Sequence, residues 1–198
     1  MIPRHLLIAV AVMVAVALGM SFYAWRMRGR VERAEAPANT QPVAPPALGP
    51  TEQATLYVAY DDAELLRPRA VRIPLPAGRQ ERAEELLRSL LEIYLDKSSP
   101  HVLGPGSEIR GVYLVDPGLA VVDLNGAFAN GHRSGVLTEE LTMASLLGSL
   151  SANIPGISRI KILVDGKERD TLAGHVDLMN FYDVSAVNQL VAQLAAGQ

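Results

Sequence analysis

Hydrophobic and polar positions divide this chain into three regimes. From Leu6 to Trp25 the sequence "LLIAVAVMVAVALGMSFYAW" carries no formal charge. A helix of about twenty residues spans about 30 Å, the thickness of a bilayer's hydrocarbon core. Tyr23 and Trp25 stand at its C-terminal end, where amphipathic rings favour the interface, and Arg26, Arg28 and Arg30 follow at once. The pattern predicts a transmembrane helix within an anchor segment, 1–30. Bulky and basic residues follow the apolar run where a signal peptidase requires small ones, so the anchor is expected to stay uncleaved.

The second regime, 31–54, contains Pro37, Pro42, Pro45, Pro46 and Pro50 among Ala, Thr and Gln. Such a segment buries too little apolar surface to order itself, and its prolines keep it extended. It reads as a spacer that holds a domain off a membrane.

Alternation begins at Thr55 and marks a folded domain over 55–183. "TLYVAY" (55–60) is β-branched and aromatic, and "AVRIPL" (70–75) alternates, with Pro74 indicating an edge strand. Ala83, Leu86, Leu87, Leu90, Leu91 and Tyr94 recur at helical spacing opposite a charged face, on which Glu84 and Arg88 form an i,i+4 pair. "IRGVYLV" (109–115) and "LAVVDL" (119–124) flank Asp116-Pro117-Gly118 and predict a hairpin. A second helix is expected from Thr138, as its N-cap, to Asn153; Glu139 and Glu140 suit its positive end. Its small residues Ala144, Ser145, Gly148 and Ser149 allow another layer to approach closely. "RIKILV" (159–164) buries Ile160, Ile162 and Val164, and Asp165-Gly166 then turns the chain into a last strand over 167–172. A short helix over 184–198 repeats apolar residues at Val187, Leu190, Val191 and Leu194.

The order β-β-α-β-β-α-β-β predicts an α+β fold: a mainly antiparallel sheet with two helices packed on one face, preceded by a single N-terminal transmembrane helix. With 49% hydrophobic residues the domain can build a core of its own. The chain has no cysteine, which excludes disulfides, thiolate metal sites, a cysteine nucleophile and a lipidated-cysteine anchor. Its net charge of -3, with no basic stripe in the folded part, argues against nucleic acid as a partner.

Candidate chemistry is sparse. His175 and Asp177 have the His-x-Asp spacing that can ligate a metal or orient a base, and His132 is the one other histidine that could fold towards them. No HExxH, phosphate-binding glycine loop or GxSxG accompanies them. The reading favoured by the local sequence is a turn after Ala173-Gly174, with the imidazole on a backbone carbonyl and Asp177 capping a bend. Asp123 and Asn125 before Gly126 read as an Asx-type turn. Glu139 and Glu140 point about 100° apart on a helix and are no acid/base pair. No catalytic residue, metal or cofactor is expected.

"VYLVDPGLAVVDLNGAF" (112–128), "EELTMASLLGSLSANIPGI" (139–157) and "RIKILVDGKERDTLAGHVDL" (159–178) together resemble the GerMN domain family of sporulation and spore germination proteins. The resemblance implies an extracytoplasmic, anchored domain that works in the bacterial envelope without a catalytic residue or cofactor. The positive-inside count points the other way, since Arg26, Arg28, Arg30 and Arg33 outweigh Arg4 and the amino terminus and would keep the domain in the cytoplasm.

Two functions follow. The first is a non-catalytic binding or assembly module, anchored in the cell membrane as a single-pass protein. It would contact the bilayer through its helix and an envelope protein or cell-wall polymer through its sheet edge or polar loops, with self-association as a further option. The second is an envelope hydrolase acting on peptidoglycan through His175, Asp177 and His132.

Overall fold

The computed structural model describes residues 50–197 apart from Leu75, Ala77 and Asp116. The anticipated span from Leu6 to Trp25 lies outside the described residues, as does the spacer up to residue 49. Among the described residues no helix is long and apolar enough to cross a membrane.

Strands β1 (Thr51–Tyr60) and β2 (Leu65–Pro74) pair antiparallel in one hairpin, from Thr51↔Pro74 to Tyr60↔Leu65. Both run further than the sequence indicated. β1 takes in residues assigned to the spacer, and the start of β2, with Arg67, Pro68 and Arg69 exposed, shows no alternation. Pro68 and Pro74 are tolerated because β2 is an outer strand, with β1 its one ladder partner among the described residues.

Next come α1 (Arg79–Leu95), β3 (Ile109–Val115), β4 (Leu119–Leu124), the short α2 (Gly126–Asn130) and α3 (Val136–Asn153). β5 (Arg159–Val164), β6 (Tyr182–Asp183) and α4 (Val184–Ala196) complete the order. The second sheet has the order β3-β4-β5-β6. β3 and β4 form the anticipated hairpin, but β4 and β5 run parallel, from Leu119↔Arg159 to Leu124↔Val164. The expectation of one mainly antiparallel sheet is therefore corrected: the fold is α+β with two sheets, and one strand pair is parallel because α3 crosses over between its members.

The strand anticipated over 167–172 does not form. Asp165 (φ +52°) and Gly166 (φ +70°) make the tight turn, yet only isolated bridges follow, Val164↔Lys167 and Thr171↔Asp177. Lys167, Glu168 and Asp170 are exposed and offer no apolar face to bury, so the chain leaves and β6 takes that edge. The two long helices also do not share one sheet face: α1 packs on β3 and α3, and α3 packs on β1 and α4. Buried residues of α1 are the six its spacing indicated. Its pairing differs, because Arg88 meets Glu85 while Glu84 accepts the Val112 N–H at 3.4 Å.

α3 is buried almost all round, and its polar side chains close the open edge of β1. Ser149 Oγ accepts the Tyr57 N–H at 2.8 Å, and Asn153 accepts the Thr55 N–H at 3.0 Å. Ser145 Oγ donates to the Tyr57 carbonyl at 2.6 Å, and Asn153 Nδ2 to the Thr55 carbonyl at 2.7 Å. The hydroxyl of Tyr94 on α1 accepts the Ala59 N–H at 2.8 Å. Helix side chains thus take the place of a neighbouring strand on an edge that would otherwise present unpaired backbone groups. Gly148 gives α4 its close approach, since a Cβ there would stand 2.6 Å from Val191 Cγ2.

Candidate functional site

Glu139 organises the region around His175. α3 begins at Val136, with Gly135 as its N-cap, and not at Thr138. Glu139, in the first turn, is fully buried. One carboxylate oxygen accepts the N–H groups of Ala173, His175 and Val176 at 3.1, 3.1 and 2.9 Å. The other accepts the Gly135 N–H at 3.3 Å and faces His175 Nδ1 at 2.9 Å. Burial pushes this carboxyl up, but the donors from Val176, His175 and Ala173 outweigh it and hold it at about 2. The ionised acceptor makes Nδ1 of His175 the donor. The imidazole therefore serves a buried carboxylate, where the local sequence suggested a backbone carbonyl.

Asp177 caps the bend as the sequence suggests. Its carboxylate accepts the Met179 N–H at 2.6 Å and the Asn180 side-chain amide at 2.6 Å, and these donors hold it below the usual carboxylate range. The Tyr182 hydroxyl donates to the Asp177 carbonyl. From β5, the buried Lys161 donates to the Leu178 carbonyl at 3.1 Å and pairs with Glu168 at 3.0 Å. The loop over 173–180 is thereby fixed from two sides.

His132 does not join His175. Its Nε2 lies 2.6 Å from the Thr142 hydroxyl and its Nδ1 2.7 Å from the Arg133 carbonyl. The same hydroxyl is 2.7 Å from Nε2 of His101, whose Nδ1 meets Asp61 at 2.6 Å. Asp61, His101 and Thr142 thus line up as a carboxylate, an imidazole and a hydroxyl, the order found in nucleophilic catalysis. Thr142 is fully buried, however, and its hydroxyl already donates back to the Thr138 carbonyl at 2.9 Å. No substrate can reach it, so the row is a buried network that ties the end of β1 to α3. Burial above all lowers the pKa of His132; its bond to the Arg133 carbonyl opposes this.

The sequence did not reveal His101 or Glu139 as centres of these networks. His101 and its partner Asp61 are far apart along the chain, and no periodicity links them. Glu139 has the appearance of an ordinary first-turn acid, and only the returning loop buries it. Asn125 is closer to expectation: it N-caps α2 by accepting the Phe128 N–H at 2.9 Å. Asp123, two residues earlier, accepts the Gly166 N–H at 2.7 Å. Among the described residues, no group of three or more His, Cys, Asp or Glu side chains is placed to hold a metal ion.

What remains open is a groove. A cavity of about 580 Å³ lies between α3, α4 and the clamped loop, with His175 and Asn180 in its lining. A smaller one, about 280 Å³, lies between α1 and β3, the outer strand of its sheet.

The family model described as "Sporulation and spore germination" (Germane) matches residues 55–170, more than half of the chain. The chain belongs to this family. Its GerMN-type fold is shared with the tandem GerMN domains of the sporulation protein GerM from Bacillus subtilis, with a TM-score of 0.52 at 18% identity over 66% of this chain and 45% of that one. The first GerMN domain of the same protein gives 0.46 at 19% identity, covering 66% and 95% of the two chains. A crystal structure from Clostridium perfringens described as a lipoprotein gives 0.46 at 20% identity, covering 71% and 92%. No curated protein matches. The matched span ends at residue 170, so Glu139 lies inside it while Ala173, His175, Val176 and Asp177 lie beyond.

Proposed function

We propose that this GerMN-type protein is a non-catalytic module of the bacterial envelope, anchored in the cell membrane by the helix from Leu6 to Trp25. It carries its domain on the extracytoplasmic side and works by contact with an envelope partner, in sporulation or another cell-wall process. One observation carries the reading. Among the described residues, each candidate for chemistry is engaged in holding backbone or another buried group: His175 on Glu139, Asp177 on its own bend, His132 and His101 on Thr142. The open concave surface beside them is a groove with a largely apolar lining, as binding sites are. A peptidoglycan hydrolase built on His175, Asp177 and His132 would need these three to converge, and they belong to separate hydrogen-bond networks.

The anchor and the proline-rich spacer fit this role, because tethering raises the effective concentration of a domain at a surface without any chemistry. Protease added outside intact cells with the outer layers permeabilised tests the placement. Cleavage of the domain under these conditions supports it. Full protection until the membrane is lysed would place the domain in the cytoplasm, as the arginine count implies.

A further inference from the structure

We infer that the groove between α3, α4 and the loop over 173–182 is the docking site for a basic segment of a partner protein. An apolar side chain of that segment seats on Met143, Val176 and Leu190, and a neighbouring lysine or arginine meets Glu140 and Asp177. The inference deepens the binding reading and rests on it.

Three observations carry it. The first is charge complementarity. The groove lining includes two carboxylates, Glu140 and Asp177, and neither lysine nor arginine. Its histidine is already engaged with the buried Glu139, and Glu140 makes no ion pair among the described residues. Asp177 already feels Lys161 from the far side of the loop, so the attraction for an entering cation comes chiefly from Glu140, and an acidic ligand gains no partner in the groove lining. The second is preorganisation. One wall is the loop clamped by Glu139 and Lys161, so little ordering entropy is lost on binding. The third is extent. At about 580 Å³ the groove accommodates one or two side chains; Val136 in its lining is 56% exposed, and exposed apolar surface continues along the loop at Met179, 45% exposed, while Phe181 beyond it is flanked by Arg159 and Lys161. Such a surface suits a protein segment that extends past its anchor better than a short wall peptide.

The test is a titration of full-length protein in detergent micelles, with methyl groups of Met, Leu and Val isotopically labelled. The probe is the peptide acetyl-Ala-Leu-Lys-Leu-Ala-amide, beside the same peptide with glutamate for lysine and a purified muropeptide bearing a free amine. The lysine peptide is expected to shift the methyl signals of Met143, Val176 and Leu190. Glu140→Gln should weaken it about fivefold, and Glu140→Lys should weaken it further. Absence of shifts at millimolar peptide, an equal response to the glutamate peptide, or tighter binding of the muropeptide would overturn the assignment. A protein that fails this titration while its domain is still cleaved from outside the cell loses the groove assignment and keeps its place in the envelope.

Discussion

Glu139 and His175 are joined at 2.9 Å between a fully buried carboxylate and an imidazole at the protein surface. The carboxylate also gathers four backbone N–H groups, from Gly135, Ala173, His175 and Val176. Glu139→Gln removes the charge and one acceptor while the donors stay buried. We predict a loss of about 2–3 kcal/mol, read as a lower urea midpoint at unchanged slope.

The same carboxylate sets an acid limit. Its pKa falls from the ordinary 4.5 to about 2 on folding, so its stabilisation is complete above 4.5 and is lost as pH falls through that window. The difference corresponds to about 3 kcal/mol at most. Unfolding measured from pH 6 down to pH 2 should show this loss in the parent protein and a flatter profile in Glu139→Gln.

Thr142 is the shared partner of two buried imidazoles. Thr142→Val keeps the shape and strands polar atoms of both rings, for a predicted cost of about 2–4 kcal/mol, while Thr142→Ser, which retains the hydroxyl, should stay close to the parent. His132 has its own pH signature. Its folded pKa lies below the ordinary 6.5, so the unfolded chain takes up a proton first, and stability present above 6.5 is lost as pH falls through it. His132→Asn should remove that dependence in a series of denaturant titrations.

Ser149→Ala leaves the Tyr57 N–H without its acceptor on the edge of β1. We predict a loss of about 1–3 kcal/mol together with faster aggregation, since the edge is then partly open to a second chain. Light scattering during refolding checks the second part.

Gly148→Ala forces a methyl group against Val191, at 2.6 Å before relaxation, for a cost of about 1–3 kcal/mol. The cost should shrink when Val191→Ala is added, which a double-mutant cycle measures directly as coupling between α3 and α4.

Local patterns carried much of this architecture. The six buried positions of α1 follow helical spacing, and β3, β4 and β5 are read correctly from their alternation and turns. What local pattern does not encode is the partner across space. The parallel pairing of β4 with β5, the failure of 167–172 to form a strand and the closing of the β1 edge by Ser145, Ser149 and Asn153 depend on which surfaces meet. The site was legible to the same degree. Asp177 as a bend cap follows from its neighbours, whereas the role of His175 depends on Glu139, a residue 36 positions away.

The central claim is that His175 maintains the shape of a contact surface and breaks no bond. Its most direct test sets the parent protein beside His175→Ala, comparing release of soluble fragments from purified peptidoglycan sacculi with urea stability. The account predicts no release by either protein and a variant destabilised by about 1 kcal/mol through the lost bond to Glu139. Release by the parent that disappears in His175→Ala at unchanged stability would contradict it.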